Sequence, residues 1–362
     1  MIEKKTLEAL DWQLLLTILA LSLVGLTSIY SSTQTLHSRT FLWQQCAWIV
    51  LGFLVCAITI KIDYHTLTDF IAYLYVPGLL LLLGLLLFGR EINGSKSWLD
   101  LGVARFQPSE IVKFLTVIML ARFLSGVRGD RLSNREMLTA VSICLVPMIL
   151  VVLQGDLGTA LTYGPIAGVM MFLVGIPRRA IVAGIVLVAL LIPIGWFSLK
   201  TYQKQRILAT FQPESDPKGI GYQARQSKIG LGSGGFAGKG FMKGSQSRLG
   251  FIPEQQTDFV FSGLTEERGL LGALITLGLY SFLLMRSVNI TRQARDRVGI
   301  LIVMGVVTVL TIHLIINVGM VTGLLPVIGI PLPLLSYGGS SYTSTLFGLG
   351  LILSVELRRY VN

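Results

Sequence analysis

W-Q-L-L-L-T-I-L-A-L-S-L-V-G-L-T-S-I-Y, residues Trp12 to Tyr30, contains no charged side chain. A helix needs about 20 apolar residues to cross the hydrocarbon core of a bilayer, and this run is long enough. Lys4 and Lys5 precede it, as they would in a signal peptide. Its C-terminal flank, however, is Ser31-Ser32-Thr33-Gln34, without an A-x-A cleavage site. The run reads as a first, uncleaved transmembrane helix. Composition extends the reading to the whole chain. It is 52% hydrophobic and only 14% charged, with a mean hydropathy of +0.70, whereas a soluble domain carries about 25% charged residues.

Intervals of the same character lie at 12–32, 41–60, 67–89, 107–125, 136–153, 157–175, 178–197, 268–285, 298–318 and 338–356. The expectation is an all-α integral membrane protein. It would have ten transmembrane helices in a single polytopic domain, residues 1–362, and one large extracytoplasmic loop, 198–267, between helices 7 and 8. Orientation follows from the short loops. With the N-terminus inside, the inner segments carry Lys4, Lys5, Lys61, Arg122, Arg128, Arg131, Arg135, Arg178, Arg179, Arg286, Arg292, Arg295, Arg297, Arg358 and Arg359. The short outer loops carry only Arg39, Arg90, Lys96 and Arg105. Cytoplasmic loops are the ones enriched in Lys and Arg, and loops beyond about 60 residues translocate regardless of charge. Both termini are therefore expected in the cytoplasm. The same bias accounts for the formal charge of +11 without invoking nucleic acid. Cys46, Cys56 and Cys144 sit in apolar runs with no paired or metal-ligand spacing, and His37, His65 and His313 are too scattered for a zinc site.

The long loop opens with the basic segment 200–206, which reads either as an amphipathic helix in the headgroup layer or as a solvated linker. Asp216-Pro217-Lys218-Gly219 is a turn signal, and a glycine-dense run extends from Gly230 to Gly244. Gly230, Gly232 and Gly235 satisfy G-x-G-x-x-G, but no strand precedes them, so a dinucleotide site is excluded. The surviving reading is an anion cradle. Exposed backbone N–H groups, with Lys239, Lys243, Gln246 and Arg248, would hold a group such as a pyrophosphate.

Acidic residues near the outer ends of the spans are the remaining candidates. Asp258 lies between Thr257 and Phe259, in a stretch whose apolar Phe259, Val260 and Phe261 are expected at the membrane surface. A partly desolvated carboxylate there suits a general base. Glu110 and Lys113 are three apart, hence on one helix face. They read as a site pair or as a capping carboxylate with its salt bridge. Asp156 is a site residue or the N-cap of span six. His313 and Asn317 lie in span nine, where the plainer reading is structural hydrogen bonding. The run 323–338, broken by Pro326, Pro331 and Pro333, is expected as a re-entrant or packed loop. Gly338-Gly339 opens span ten, as a cavity wall or for tight packing.

The stretch Asn317 to Ser341, N-V-G-M-V-T-G-L-L-P-V-I-G-I-P-L-P-L-L-S-Y-G-G-S-S, resembles the signature of the SEDS family, the RodA/FtsW/SpoVE proteins. Similar matches run along the chain: Ile92 to Trp98, F-Q-P-S-E-I-V-K-F at 106–114, Q-G-D-L-G-T-A-L at 154–161 and D-P-K-G-I-G-Y-Q at 216–223. The text G-K-G-F-M-K-G-S-Q-S and F-I-P-E-Q-Q-T-D-F-V-F resembles the RodA branch more than FtsW. The resemblance implies a ten-helix peptidoglycan glycosyltransferase of the bacterial inner membrane. Such an enzyme polymerises lipid II at the outer face during elongation and works with a class B penicillin-binding protein. It matches the family's essential loop aspartate to Asp258 and its polar pair in span four to Glu110 and Lys113. No D-x-D occurs among the aspartates. This agrees with a lipid pyrophosphate donor, to which Mg²⁺ or Mn²⁺ could be bound. A lipid II flippase and a non-enzymatic scaffold are the rival readings. A flippase should carry polar groups through the full depth of the membrane, and a scaffold would not need Asp258.

Overall fold

The computed structural model describes residues 10–33, 40–92, 94–100, 102, 105–129, 131–198, 204–205, 207–208, 210, 219–248, 250–251 and 254–359. Its long helices are α1 (Trp12–Thr33), α2 (Thr40–Lys61), α3 (Tyr64–Phe88), α4 (Pro108–Ser125), α5 (Asn134–Leu153), α6 (Leu157–Val174) and α7 (Arg178–Ser198). After them come the shorter α8 (Ile220–Ser233) and α9 (Ser245–Arg248), then α10 (Val260–Thr291), α11 (Arg297–Thr322) and α12 (Gly339–Leu357). Each of the ten apolar intervals read from the sequence falls on one of the long helices. Seven of these (α1, α2, α3, α5, α6, α10 and α11) are long and apolar enough to cross a membrane. The chain is an integral membrane protein. One departure from an all-helical chain is a small antiparallel ribbon, Leu99–Asp100 against Arg105–Phe106, just before α4.

Local chemistry sets the helix ends. Pro108 opens α4, where its missing N–H is no loss. Ser133 and Glu136 form a capping box at the start of α5. Asp156 caps α6, Asp296 caps α11, and Gly323 ends α11 in the left-handed conformation. In the packed bundle α12 runs along α2, α3 along α4, α5 along α6, and α1 along α10. The most enclosed helices are α4 and α12, whose side chains are buried on nearly every face.

Three expectations change at the end of the bundle where α4, α6, α10 and α12 begin. First, α10 starts at Val260, well before the expected 268. Phe259, Val260 and Phe261 are consequently core residues, each at most 3% exposed, and do not lie at a membrane surface. Apolar side chains that can reach protein interior pack there. Second, the interval 198–267 is not one open loop, since it holds α8, α9 and the first turns of α10. Third, the glycine run is no open cradle of N–H groups. The amides of Gly238, Lys239, Gly240 and Lys243 donate to the carbonyls of Gly234, Glu266, Glu267 and Gly240. The carbonyls of Gly235 and Phe236 accept from Leu270 and Leu271 of α10. Segment 200–206 and the turn at 216–219 fall largely outside the described residues.

The proline-broken run 323–338 is non-helical and packed into the protein, with Val327, Ile330, Leu332, Leu334 and Leu335 buried. Gly25 of α1 makes room for it, because a Cβ there would lie 2.7 Å from the Leu335 Cα and carbonyl. Gly339 serves packing, since a Cβ would meet the Trp48 ring at 2.5 Å.

Candidate active site

Two non-helical segments meet at this end of the bundle, 254–259 and 323–338. Their backbones are stitched together. Tyr337 N donates to Gln256 O at 2.8 Å, and the Ser336 hydroxyl donates to Thr257 O at 2.5 Å and accepts from Leu332 N at 2.8 Å. Each segment carries a non-glycine residue at positive φ, Glu254 at 50° and Leu334 at 67°. Such a conformation is sparsely populated and is maintained by surrounding contacts.

Asp258 is the last residue but one before α10 and is half-buried. Its N–H donates to Glu254 O at 3.1 Å. Its own carbonyl accepts from Asn317 Nδ2 of α11 at 3.0 Å, and the same Nδ2 donates to Ile330 O at 2.8 Å. The carboxylate lies against Gly329, where an added Cβ would come within 3.3 Å of Asp258 Oδ2. Gly329 itself has φ +81°.

One turn back along α11, His313 joins a second group. Lys113 Nζ lies 2.8 Å from Glu110 Oε2 and 3.0 Å from His313 Nε2. Ser344 of α12 donates to Glu110 Oε2 at 3.1 Å. Glu110 and Lys113 are 2% and 1% exposed. A lysine ammonium can only donate, so His313 accepts at Nε2 and carries its proton on Nδ1, which faces Pro331 O at 3.3 Å. The pair binds α4, α11 and α12 together and reaches the Pro331 carbonyl, next to the carbonyl that Asn317 holds.

Asp156 completes the cluster at the start of α6. Its Oδ1 accepts from Thr159 N at 3.0 Å and its Oδ2 from Gln107 Nε2 at 2.6 Å. It is therefore the helix cap, the plainer of the two roles its sequence position allows. Burial raises its pKa above the usual carboxylate value; the bonds from Thr159 pull it back, and the charge of Glu110 adds to the rise.

Lys239 and Gln246 are engaged elsewhere. Lys239 Nζ pairs at 2.7 Å with Glu266 Oε1, a fully buried carboxylate that also accepts from Gln246 N at 2.9 Å. Both residues thus hold the 235–246 segment to α10. Lys243 is exposed, and the side chain of Arg248 lies outside the described residues. Sequence reasoning alone misses Ser344, Ser336, Gly329 and Glu266. Lone serines, a glycine and a glutamate in a helix carry no local signal of what they will face across the fold.

The arrangement is a helical membrane protein with a half-exposed aspartate held on stitched loops above a buried ion pair. The "Cell cycle protein" family model, FtsW/RodA/SpoVE, matches residues 8–360. Among curated relatives, the peptidoglycan glycosyltransferase MrdB of Escherichia coli K12 is 40% identical over 97% of this chain and 94% of its own length. The peptidoglycan glycosyltransferase RodA of Treponema pallidum is 33% identical over 96% and 98%. Among solved structures, a chain of a peptidoglycan synthase complex that coordinates polymerization and crosslinking superposes with a TM-score of 0.83. It has 32% identity and covers 98% of this chain and 99% of its own. Thermus thermophilus RodA gives a TM-score of 0.73 at 29% identity, covering 98% of each chain. This chain belongs to the FtsW/RodA/SpoVE family.

Proposed function

We propose that this chain is a peptidoglycan glycosyltransferase of the RodA type, which polymerises lipid II at the outer face of the cytoplasmic membrane during elongation. In this reading ten helices cross the membrane, both termini are cytoplasmic, and the 198–267 segment is outside. The observation that carries it is Asp258, a residue left partly exposed while its backbone carbonyl is held by Asn317 and Phe259 beside it is buried. A base has to be both accessible and positioned.

In the reaction, a sugar hydroxyl of one lipid-linked saccharide attacks the anomeric carbon of another. Asp258 takes the hydroxyl proton as the new C–O bond forms. The bond from the anomeric carbon to the pyrophosphate oxygen breaks, and polyprenyl pyrophosphate leaves with its electron pair. General-base assistance of this kind contributes typically 10²–10⁴-fold in rate. Lys113 and Lys239 are each engaged by a glutamate, whereas Lys243 is exposed, so of these three Lys243 is the one left to meet the departing anion. Lys113 and Glu110 act beneath the site, holding the floor on which the loops rest.

Among the described residues no group of three or more His, Cys, Asp or Glu could hold a metal ion. Mg²⁺ is commonly bound by one or two carboxylates together with substrate phosphates, and Asp258 with the pyrophosphate fits that mode. A bound Mg²⁺ or Mn²⁺ would neutralise charge on the leaving group. The partner in this reading is a class B penicillin-binding protein that cross-links the product within the elongation machinery. The reading is favoured over a flippase by the relatives of this chain, which are named peptidoglycan glycosyltransferases over nearly its whole length.

The test is direct. Purified protein, alone and with its penicillin-binding partner, is given labelled lipid II with Mg²⁺ or Mn²⁺, and the products are separated by size. Glycan polymer is expected. Transbilayer movement of lipid II without any polymer would support the flippase instead.

A further inference from the structure

Both hydrogen bonds of Asn317 go to backbone carbonyls and not to side chains. Its Nδ2 donates both of its hydrogens, one to Asp258 O at 3.0 Å and one to Ile330 O at 2.8 Å. The residue is fully buried, and its Oδ1 has no hydrogen-bond partner. This fixes the orientation of the amide. A flipped side chain would set Oδ1 against two carbonyl oxygens, so only the observed arrangement is satisfied. Burying an amide with an unpaired oxygen is unfavourable by about 1–3 kcal/mol. An apolar residue of similar size would avoid that loss if packing were the whole role of position 317.

The two carbonyls belong to different segments. Ile330 adjoins Gly329, whose backbone bounds one side of the Asp258 carboxylate. Asp258 adjoins Phe259, which is fully buried. One amide thus fixes the main chain of the acidic residue and the wall its carboxylate faces, both at once and relative to each other. Tyr337 N to Gln256 O and Ser336 Oγ to Thr257 O also join the two segments, but neither ends on Asp258 or Ile330, and the Asp258 N–H bond to Glu254 O lies within a single stretch of backbone.

We infer that Asn317 is the positioning residue of the reaction. It acts through Asp258 by clamping its backbone to the Ile330 backbone, and so sets where the carboxylate stands relative to Gly329. The inference rests on the reading that Asp258 is the reacting base. A misplacement of about 1 Å in a reacting group can lower a rate about 10²-fold, and the clamp acts on that scale. It has no route to the substrate's distal parts, so its effect belongs in kcat.

The test uses the full-length protein with wild type, Asp258→Asn, Asn317→Ala, Asn317→Asp and Thr308→Ala run side by side. Asn317→Asp keeps the shape and, when ionised, removes the donors. Thr308 bonds only within α11 and serves as control. Two readouts are taken: initial polymerisation rate against lipid II concentration, and the labelling rate of the Asp258 carboxyl by a carbodiimide and amine, followed by mass spectrometry with exposed Asp100 as internal standard. Both Asn317 variants are expected to lower kcat by about 10–100-fold with KM nearly unchanged, and to label Asp258 several-fold faster. Thr308→Ala should match wild type in both. Wild-type kcat in either Asn317 variant overturns the inference, and so does a loss of kcat with unaltered Asp258 labelling. If wild type makes no polymer, or Asp258→Asn is fully active, it is the functional reading that fails. The labelling rates then decide on their own whether Asn317 holds Asp258 in place.

Discussion

Lys113 and Glu110 are in contact deep inside the protein, and their energetics follow from that burial. Removing one partner of a buried ion pair leaves an uncompensated charge, which costs about 3–5 kcal/mol, whereas replacing both by apolar groups is often neutral. Lys113→Met alone should therefore lower the unfolding temperature in detergent sharply. Lys113→Met with Glu110→Leu should recover much of the loss, and a double-mutant cycle measures the coupling. If the two single losses simply add, the pair is not coupled as described. Asp156 gives a second residue-scale prediction. Asp156→Ala loses an N-cap worth about 1 kcal/mol, while Asp156→Asn keeps the cap. The folded-state pKa of Asp156 is raised, so its contribution is fully present below the ordinary value of 3.8 and is lost as pH rises through the folded-state value. The stability of wild type relative to Asp156→Asn should fall over that rise, as measured by unfolding at stepped pH. A flat difference would contradict the assignment.

At the scale of elements, α10 is the informative case. Its apolar run predicts a helix from 268, yet it begins at Val260, and Gly269 inside it has φ 65° and ψ −166°, a conformation essentially restricted to glycine. A Cβ at Gly269 would lie 2.3 Å from Gly238 N and 2.5 Å from Phe236 O. Gly269→Ala should therefore displace the 235–240 segment from α10 and destabilise the protein by at least roughly 1–3 kcal/mol. Recovery of folded protein by size-exclusion chromatography reads this, and normal yield with normal melting would refute the packing. The contrast shows what a sequence can carry. Hydropathy marks the spans, because twenty consecutive apolar residues are a local property. It says nothing of the buried Glu266 and Glu267, whose partners Lys239 and Ser31 come from far along the chain, so the polar stretch before 268 reads as open loop. For the same reason Lys239 reads as a free cation, while in the fold it is tied to Glu266. Asp258, Glu110 and Asp156 stand out in the sequence because acids are rare in such a chain. Asn317 stands out only as a polar residue in span nine expected to make structural hydrogen bonds, and Ser344 does not stand out, because their meaning is a contact across the bundle.

For the whole molecule, the proposed orientation rests on the charge bias of the short loops. Lys243 and Arg128 are both exposed, and the proposed topology puts them on opposite sides. Lys243→Cys should react with a membrane-impermeant maleimide in cells whose outer membrane is opened, and Arg128→Cys only after the inner membrane is permeabilised. The reverse pattern would invert the protein. That orientation places the end of the bundle holding Asp258, Gly329 and Asn317 outside, where a lipid-linked saccharide would meet it. The architecture then has a single purpose: α4, α11 and α12, locked by a buried ion pair, carry the proline-broken segment, and that segment carries the aspartate's loop.

The measurement that bears most directly on this account is glycan polymerisation by wild type and Asp258→Asn, each shown to be folded and to bind lipid II. The account predicts long glycan strands from wild type, and from the variant full lipid II binding with polymer reduced at least about 10²-fold. Equal polymer from both proteins would contradict it and move the base to another carboxylate.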